Sequence, residues 1–335
     1  MAASRPRVGF LGVGWIGRHR MEAMLATGAV EAAAIADAAP AAAAAGQALA
    51  PGAALVGSLD EMLDLGLDGM VIATPSAMHA GQTIRALERG AAVFCQKPLG
   101  RTGKEVRSAV DAARRADRLL AVDLSYRHTA GMRAIRDLVA AGELGRVFAV
   151  DLVFHNAYGP DKPWFYDRAQ AGGGCVMDLG VHLVDLALWT LGFPPVRTVS
   201  GRLFAGGAPL AREADTVEDY ATATIDLRDG TSIALACSWR LHAGRDALIG
   251  ATFHGTGGGA SFRNVGGSFF DFTAERHRGT ASEALAAPPD EWGGRAAAEW
   301  ATRLANGVRF DPRADELVEV AEILDLVYAN GTSRP

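Results

Sequence analysis

Hydrophobic and polar positions follow two successive patterns along the chain. Through residues 7–123, short apolar runs alternate with stretches in which apolar residues recur every three or four positions. This order is typical of strands and helices that alternate in a doubly wound parallel α/β sheet. Strands are predicted at 7–12, 30–36, 53–56, 69–73, 91–95 and 119–123, and helices near 15–26, 40–49, 58–65, 78–89 and 102–117.

Beyond residue 125, strand patterns dominate. Strands are predicted at 147–157, 196–205, 217–227, 231–241, 248–256 and 260–272, and helices at 130–141, 175–191, 295–306 and 312–329. The polar, proline- and glycine-rich residues 274–294 are predicted to form a loop. We therefore expect one domain at 1–124, and a second, α+β domain at 125–335 with a large, mostly antiparallel open sheet.

Composition narrows the function classes. The 335 residues suffice for two cores, and the net charge of −5 argues against a nucleic-acid or acidic-lipid binder. Three scattered cysteines give no metal-ligand spacing, and there is no apolar run of about 18 residues. We expect a soluble, cytoplasmic protein without a metal. Of 33 basic residues only three are lysines (Lys97, Lys104 and Lys162), so a lysine can mark a position where arginine will not serve.

A glycine pattern after the first strand predicts a dinucleotide site. The residues Gly12, Gly14, Trp15, Ile16 and Gly17 belong to a Gly-x-Gly-x-x-Gly sequence between a predicted strand and a predicted helix. In this context the first glycine makes the turn, the second admits a pyrophosphate and the third allows close packing. The helix N-terminus offers N–H groups to the anion. The pattern therefore predicts a Rossmann domain.

Residues at the ends of later strands extend this site. Asp37 ends the second predicted strand, where a carboxylate can bind both ribose hydroxyls and repel a 2′-phosphate, so NAD is favoured over NADP. Because open α/β sheets bind ligands at the carboxyl ends of their strands, the following residues are further cofactor candidates. They are Thr74, Pro75, His79, Gln96 and Lys97.

The second domain carries a helix with clustered ionisable groups. On an ideal α-helix, Asp178, His182 and Asp185 lie within about 60° of one another. Gly180 within this helix, and three glycines at 172–174 before it, suggest close approach to a ligand or another backbone. An amphipathic helix with its polar face in water is the alternative interpretation.

Together the two domains predict redox chemistry at a hydroxyl-bearing carbon. A nicotinamide carries hydride, and the substrate hydroxyl must also lose a proton. Histidine has an ordinary pKa of about 6.5, so His182 is the candidate general base. Lys97 can stabilise the developing alkoxide, and Asp178 can orient the substrate or the imidazole.

The motifs in this order resemble the Gfo/Idh/MocA oxidoreductases, which include glucose–fructose oxidoreductase and inositol dehydrogenases. The similarity covers almost the whole chain and adds Lys97-Pro98 and Tyr126-Arg127 to the motifs above. It implies hydride transfer between NAD(P) and a sugar, inositol or related polyol. It also implies that Lys97, Asp178 and His182 are the catalytic residues, and that the open sheet joins subunits into a homodimer or homotetramer.

Several alternatives stay open. Gln96 replaces the glutamate that usually precedes this lysine in the family, so Lys97 lacks an adjacent negative charge. Besides Lys97, Asp178 and His182, the substrate candidates are Arg127, Tyr158 and Trp164, which could equally belong to the core or an interface. The function alternatives are a non-catalytic dinucleotide-sensing regulator, and a reductase of a dihydrodiol, imine or nucleotide sugar.

Overall fold

A computed structural model describes residues 4–332, which divide into two compact units. The first unit comprises the described residues up to Ser125 together with Gly294–Val318. The second comprises Tyr126–Gly293 and the described residues from Glu319 onward. The segment 294–318, which the sequence places in the second domain, therefore packs within the first unit. The reason is that Trp300 inserts its buried ring beside Phe94 of the parallel sheet, with ring centroids 6.0 Å apart.

The first unit is a doubly wound parallel sheet, as the sequence predicts. Its strand order is β3-β2-β1-β4-β5-β6. The chain thus adds β2 and β3 on one side of β1, and then β4, β5 and β6 on the other side. Its strands are β1 (Arg7–Leu11), β2 (Glu31–Ala36), β3 (Ala54–Leu55), β4 (Gly69–Ile72), β5 (Ala92–Cys95) and β6 (Leu120–Val122). Its helices are α1 (Trp15–Ala26), α2 (Pro40–Leu49), α3 (Leu59–Leu63), α4 (Ser76–Glu88), α5 (Gly103–Ala116) and, from the later segment, α9 (Arg295–Ala305). The predicted Rossmann fold is confirmed.

The second unit is built on a nine-stranded sheet. Its order is β15-β14-β13-β12-β7-β11-β10-β8-β9, with β7 and β11 parallel and the other neighbouring pairs antiparallel. The strands are β7 (Val147–Asn156), β8 (Val196–Ala205), β9 (Ala208–Pro209), β10 (Tyr220–Leu227), β11 (Ser232–Ser238), β12 (Ala247–Gly255), β13 (Gly259–Asn264), β14 (Phe272–Arg278) and β15 (Ala281–Ala286). The helices are α6 (Ala130–Ala140), α7 (Arg168–Ala171), α8 (Val181–Leu191) and α10 (Asp315–Gly331), whose first residues belong to the other unit. The predicted mostly antiparallel sheet is confirmed.

The predictions for 260–294 were wrong in two places. The single strand at 260–272 is two strands, because Gly266 and Gly267 adopt positive φ and turn the chain between β13 and β14. The predicted loop at 274–294 contains most of the β14–β15 hairpin. β15 is the edge strand and is mostly exposed, and β14 beside it is mostly only half-buried, so neither has the apolar run that marks a buried strand.

The helix predicted at 175–191 has two parts. A π-helical turn, Val176–Gly180, leads into α8 at Val181. By length and composition, the helical stretch Arg168–Leu191 could cross a membrane, but 83% of its most apolar window is buried inside the protein. Such burial is typical of a core helix. The π turn also changes the spacing of the ionisable residues, since it holds more residues per turn than an α-helix.

Candidate active site

The glycine loop of the first unit has the shape that a pyrophosphate requires. Gly12 has φ +85°, and a Cβ on Gly17 would overlap the Gly12 carbonyl oxygen, so both glycines serve the fold. Gly14 differs, because among the described residues no heavy atom lies within 4 Å of a Cβ built there. Gly14 is the N-cap of α1 and, being glycine, has no side chain that could cap the helix. The helix N-terminus therefore keeps room and N–H groups for an anion, which fits a dinucleotide.

The side chains after Gly14 are differently exposed. Trp15 is 66% exposed and its ring is stacked on that of His19, with centroids 6.2 Å apart. Ile16 is half-buried. A dinucleotide pyrophosphate at this loop would be bound by backbone N–H groups, so neither side chain needs a polar atom.

Asp37 supports the glycine loop. Its Oδ2 accepts a hydrogen bond from the backbone N–H of Val13 at 2.7 Å, and its Oδ1 accepts one from Ala39 at 2.8 Å. A carboxylate has about four acceptor positions, so lone pairs remain for ribose hydroxyls. Asp37 thus holds the glycine loop in place, and its binding of ribose stays a prediction.

The loop after β4 is arranged around a buried histidine. Nε2 of His79 lies 2.6 Å from the Thr74 carbonyl oxygen, and Nδ1 lies 2.7 Å from that of Pro98. Burial lowers the pKa of His79, and the nearby charge of Lys97 acts in the same direction. Both nitrogens face the protein's own backbone, and the ring is 1% exposed. His79 therefore links two loops, and its predicted contact with the cofactor stays a prediction.

The other two residues of this loop serve the start of α4. Pro75 is the N-cap of the helix. The Thr74 hydroxyl donates to Oε1 of Gln82, one to two turns into the helix, at 2.6 Å. Thr74 and Pro75 therefore fix where the chain leaves β4, at the carboxyl edge where the sequence predicts the cofactor.

Lys97 follows β5 at the same edge of the sheet. Its side chain is half-buried, and its neighbours Gln96 and Pro98 are buried. Gln96 donates from Nε2 to Oδ2 of Asp123 at 2.6 Å. No role was predicted for Asp123 from the sequence, although its place at the end of the sixth predicted strand is a signal for this edge.

In the second unit, Asp178 is held by an aromatic wall. Nε1 of Trp239 donates to Oδ2 of Asp178 at 3.1 Å. The rings of Tyr166 and Phe165 contact Trp239 with centroids 5.6 and 6.4 Å away, and Trp164 is stacked on Phe165 at 3.8 Å. The substrate candidate Trp164 is therefore joined to Asp178 through two rings. Sequence reasoning missed Trp239, whose only signal is its position at the end of a strand.

His182 lies against a second aromatic cluster. Its ring meets the buried ring of Tyr126 edge-on with centroids 5.0 Å apart, and that of Phe154 lies at 6.5 Å. Tyr126 is itself packed against Trp292 at 4.9 Å. Burial raises the pKa of Tyr126, and the charge of Asp178 adds to this effect. The Tyr126 ring therefore supports the imidazole and stays neutral.

Arg127 and Asp185 satisfy one another. Nε of Arg127 donates to both carboxylate oxygens of Asp185 at 3.1 and 2.9 Å, and Nη2 donates to Oδ1 at 2.5 Å. The Asp185 side chain is 2% exposed and that of Arg127 is 17% exposed. A buried, forked pair of this kind fixes the α8 helix. The sequence places Asp185 with the ionisable cluster and Arg127 with the substrate; the structure pairs the two with one another, and a substrate contact of Arg127 stays a prediction.

Tyr158 lies beside the aromatic residues around Asp178, because its carbonyl oxygen accepts a hydrogen bond at 3.4 Å from the N–H of Arg240, the residue after Trp239. Tyr158 is 59% exposed, and its hydroxyl donates to Oδ1 of Asp246 at 2.6 Å. The substrate role of Tyr158 stays a prediction.

The glycines that precede α8 are explained by contacts within the protein. A Cβ on Gly173 would overlap the Tyr328 hydroxyl, and one on Gly174 would overlap the Glu218 carbonyl oxygen. Oε1 of buried Glu218 accepts hydrogen bonds from the N–H groups of Gly174 and Val176 at 3.0 and 2.9 Å. The predicted close approach is therefore to the protein's own residues. At Gly180, a Cβ would make only ordinary contacts, the nearest at 3.4 Å to Val176.

The fold and these residues define the class of protein. Residues 6–124 match the model of an oxidoreductase family with an NAD-binding Rossmann fold, and residues 132–261 match that of the GFO/IDH/MocA C-terminal domain. The chain therefore belongs to the Gfo/Idh/MocA family, as the resemblance in its motifs indicates.

Named relatives agree with this assignment. The chain is 32% identical over 213 residues to a 1,5-anhydro-D-fructose reductase of Ensifer adhaerens, covering 63% of this chain and 61% of that protein. It is 32% identical over 264 residues to the rhizopine catabolism protein MocA of Rhizobium meliloti, covering 78% and 79%. The crystal structure of GenD2 from gentamicin A biosynthesis, in complex with NAD, superimposes with a TM-score of 0.81 at 25% identity, covering 99% of this chain and 95% of GenD2. The chain thus spans about three-fifths of the first relative's length.

Proposed function

We propose that the protein is an NAD-dependent dehydrogenase or reductase of a sugar, an inositol or a related polyol. One observation carries the proposal. The chain combines a dinucleotide loop with open space at Gly14 and a helical stretch that bears both His182 and Asp178, whose carboxylate is hydrogen-bonded by Trp239. A sensor that only binds dinucleotide would need the first feature and not the second. The names of the two relatives, a reductase of 1,5-anhydro-D-fructose and a rhizopine catabolism protein, support a sugar- or inositol-like substrate.

The catalytic roles follow from the chemistry of three side chains. The nicotinamide supplies a hydride acceptor or donor. We propose that an imidazole nitrogen of His182 takes the proton of the substrate hydroxyl. The Lys97 ammonium stabilises the oxygen from which the proton leaves. Asp178, oriented by Trp239, accepts a hydrogen bond from a second substrate hydroxyl or from the imidazole. In the reductive direction the same groups return the proton.

A substrate screen tests the activity. Purified protein is mixed with NAD or NADP and a panel of sugars, inositols and their acids, and reduced cofactor is followed by absorbance. Ketosugars with reduced cofactor test the reverse reaction. Turnover with at least one polyol or ketosugar supports the proposal, and dinucleotide binding without turnover across the whole panel favours the sensor.

The glycine loop yields a sharp prediction for cofactor binding. Gly14→Ala should weaken NAD binding about tenfold or more, because the methyl group occupies space that the pyrophosphate needs. Stability should hardly change, since the Cβ meets no described atom within 4 Å. Titration of the intrinsic fluorescence gives Kd, and thermal unfolding gives Tm. Gly81→Ala, also with open space around its Cβ, is the matched control; an unchanged Kd for Gly14→Ala would contradict the site.

We also propose that NAD is preferred over NADP. Asp37 would repel a 2′-phosphate, and exposed Ala38 offers that phosphate no cation. Ala38→Arg should therefore raise kcat/KM for NADP about tenfold while Asp37 still braces the loop. Ala44→Arg, which places the same charge at an exposed position on α2, is the control. Steady-state kinetics with both cofactors measure the ratio, and an unchanged ratio would refute this placement of the 2′-position.

The assembly and location are further proposals that rest on the family resemblance. The large open sheet would join subunits into a homodimer or homotetramer, and the molecular mass from light scattering tests this. We propose a cytoplasmic location, which fractionation of the producing cell would test. Neither nucleic acid nor membrane is proposed as a partner.

A further inference from the structure

The two neighbours of Lys97 are both held by side chains from distant parts of the first unit. On one side, Nε2 of Gln96 donates to Asp123 at 2.6 Å. On the other side, the Pro98 carbonyl oxygen lies 2.7 Å from Nδ1 of His79. Gln96, Pro98, Asp123 and His79 are all buried. The backbone that carries Lys97 is therefore fixed at both ends.

Asp123, the partner of Gln96, accepts hydrogen bonds from two further side chains. Its Oδ2 accepts a hydrogen bond from Nε of Arg20 at 2.6 Å as well as the bond from Gln96. Its Oδ1 accepts one from the Ser125 hydroxyl at 2.5 Å, and Nη2 of Arg20 donates to the same hydroxyl at 3.1 Å. Arg20 is 6% exposed and Asp123 2% exposed. One buried anion is thus matched with one buried cation.

This arrangement decides which side chain position 96 can carry. A carboxylate only accepts hydrogen bonds, so the amide nitrogen of Gln96 must face Asp123. A glutamate at 96, the usual residue of the family, would bring two carboxylates together beside a single guanidinium. One carboxylate would then have to bind a proton or move away. The glutamine is therefore the residue that Asp123 requires.

We propose that Asp123 is a positioning residue for Lys97. Arg20 and Ser125 orient the carboxylate, the carboxylate orients Gln96, and the backbone following Gln96 places the lysine. The catalytic consequence rests on the proposed function, whereas the effect on the placement of Lys97 does not.

A charge exchange between positions 96 and 123 tests the proposal. Gln96→Glu should lower kcat about 10- to 100-fold through misplacement of Lys97. Asp123→Asn should also lower it, because Arg20 loses its buried partner. The double variant restores one carboxylate and one amide with their positions exchanged, and should recover kcat to within about threefold of the original. Gln170→Glu is the matched control, because Gln170 also donates to an aspartate, Asp167, at 2.7 Å but at an exposed position. Its kcat should hardly change.

The three lysines of the chain allow a readout that needs no turnover. Protein labelled with [ε-¹³C]lysine should give three side-chain NMR signals, and the one absent from Lys97→Met belongs to Lys97. In Gln96→Glu this signal should shift more than those of Lys104 and Lys162, and in the double variant it should return. Gln170→Glu should leave it in place.

Each outcome is decisive. A Lys97 signal that moves in Gln96→Glu and returns in the double variant supports the proposal, even if no substrate is turned over and the proposed function fails. A lower Tm for Gln96→Glu with unchanged Lys97 signal and kcat would show a purely structural network and overturn it. A double variant no better than the worse single variant would also overturn it.

Discussion

Replacing His182 with asparagine should lower kcat about 10²- to 10⁴-fold, the usual contribution of a general acid–base group. Asparagine keeps much of the polar volume but cannot take a proton near neutral pH. The dissociation constant of NAD should stay within about threefold, since His182 lies in the second unit and the glycine loop in the first. A loss of kcat without a loss of cofactor affinity is the signature of a group that acts in the transition state.

The experiment needs a control for the packing of the ring. His277→Asn removes another imidazole of the second unit, which lies 2.9 Å from the hydroxyls of both Ser261 and Ser282. This variant should retain kcat. Tm should be measured for both variants, because His182 also packs against Tyr126. If His182→Asn keeps the original kcat with a productive substrate, His182 is not the base.

Replacing Lys97 with methionine should lower kcat about 10²- to 10³-fold, a loss comparable to removing an oxyanion donor. Methionine matches the length of the aliphatic stem and removes the ammonium. Lys97→Arg should recover only part of the loss, because the planar guanidinium cannot occupy the position of a compact point charge. Lys104→Met, on the exposed first turn of α5, is the control and should behave as the original.

The two variants distinguish charge from proton transfer. Steady-state kinetics with the substrate found in the screen give kcat and KM, and a fluorescence titration gives the NAD affinity. An arginine variant as active as the original would show that positive charge alone suffices at position 97. A fully active methionine variant would exclude Lys97 from the reaction.

Local signals in the sequence determined the part of the first unit before residue 125, but not the inclusion of 294–318. Strand and helix periods and the glycine fingerprint depend on neighbouring residues, so each can be recognised without knowledge of distant contacts. The predicted helices 15–26 and 40–49 agree with α1 and α2 residue for residue. The edge hairpin β14–β15 was missed because its many exposed side chains carry no hydrophobic period.

For the candidate site, too, local motifs could be recognised in the sequence and distant contacts could not. Motif spacing was enough to select Lys97, Asp178 and His182 as candidates. The partners that orient or occupy side chains come from 27 to 103 residues away, as with Gln96 and Asp123, Arg127 and Asp185, Asp178 and Trp239, and Arg20 and Asp123. Such pairs cannot be predicted from local periodicity, because each partner taken alone is an ordinary polar or aromatic residue.

The sequence by itself determined the fold class and the family and selected the candidate catalytic residues, because these depend on local pattern and motif order. Only the tertiary structure decided that Arg127 is occupied by Asp185, that His79 joins two loops, and that Gln96 serves a buried carboxylate. The physical reason is burial: an ionised or polar group removed from water must find a partner, and the folded chain alone determines which partner it meets.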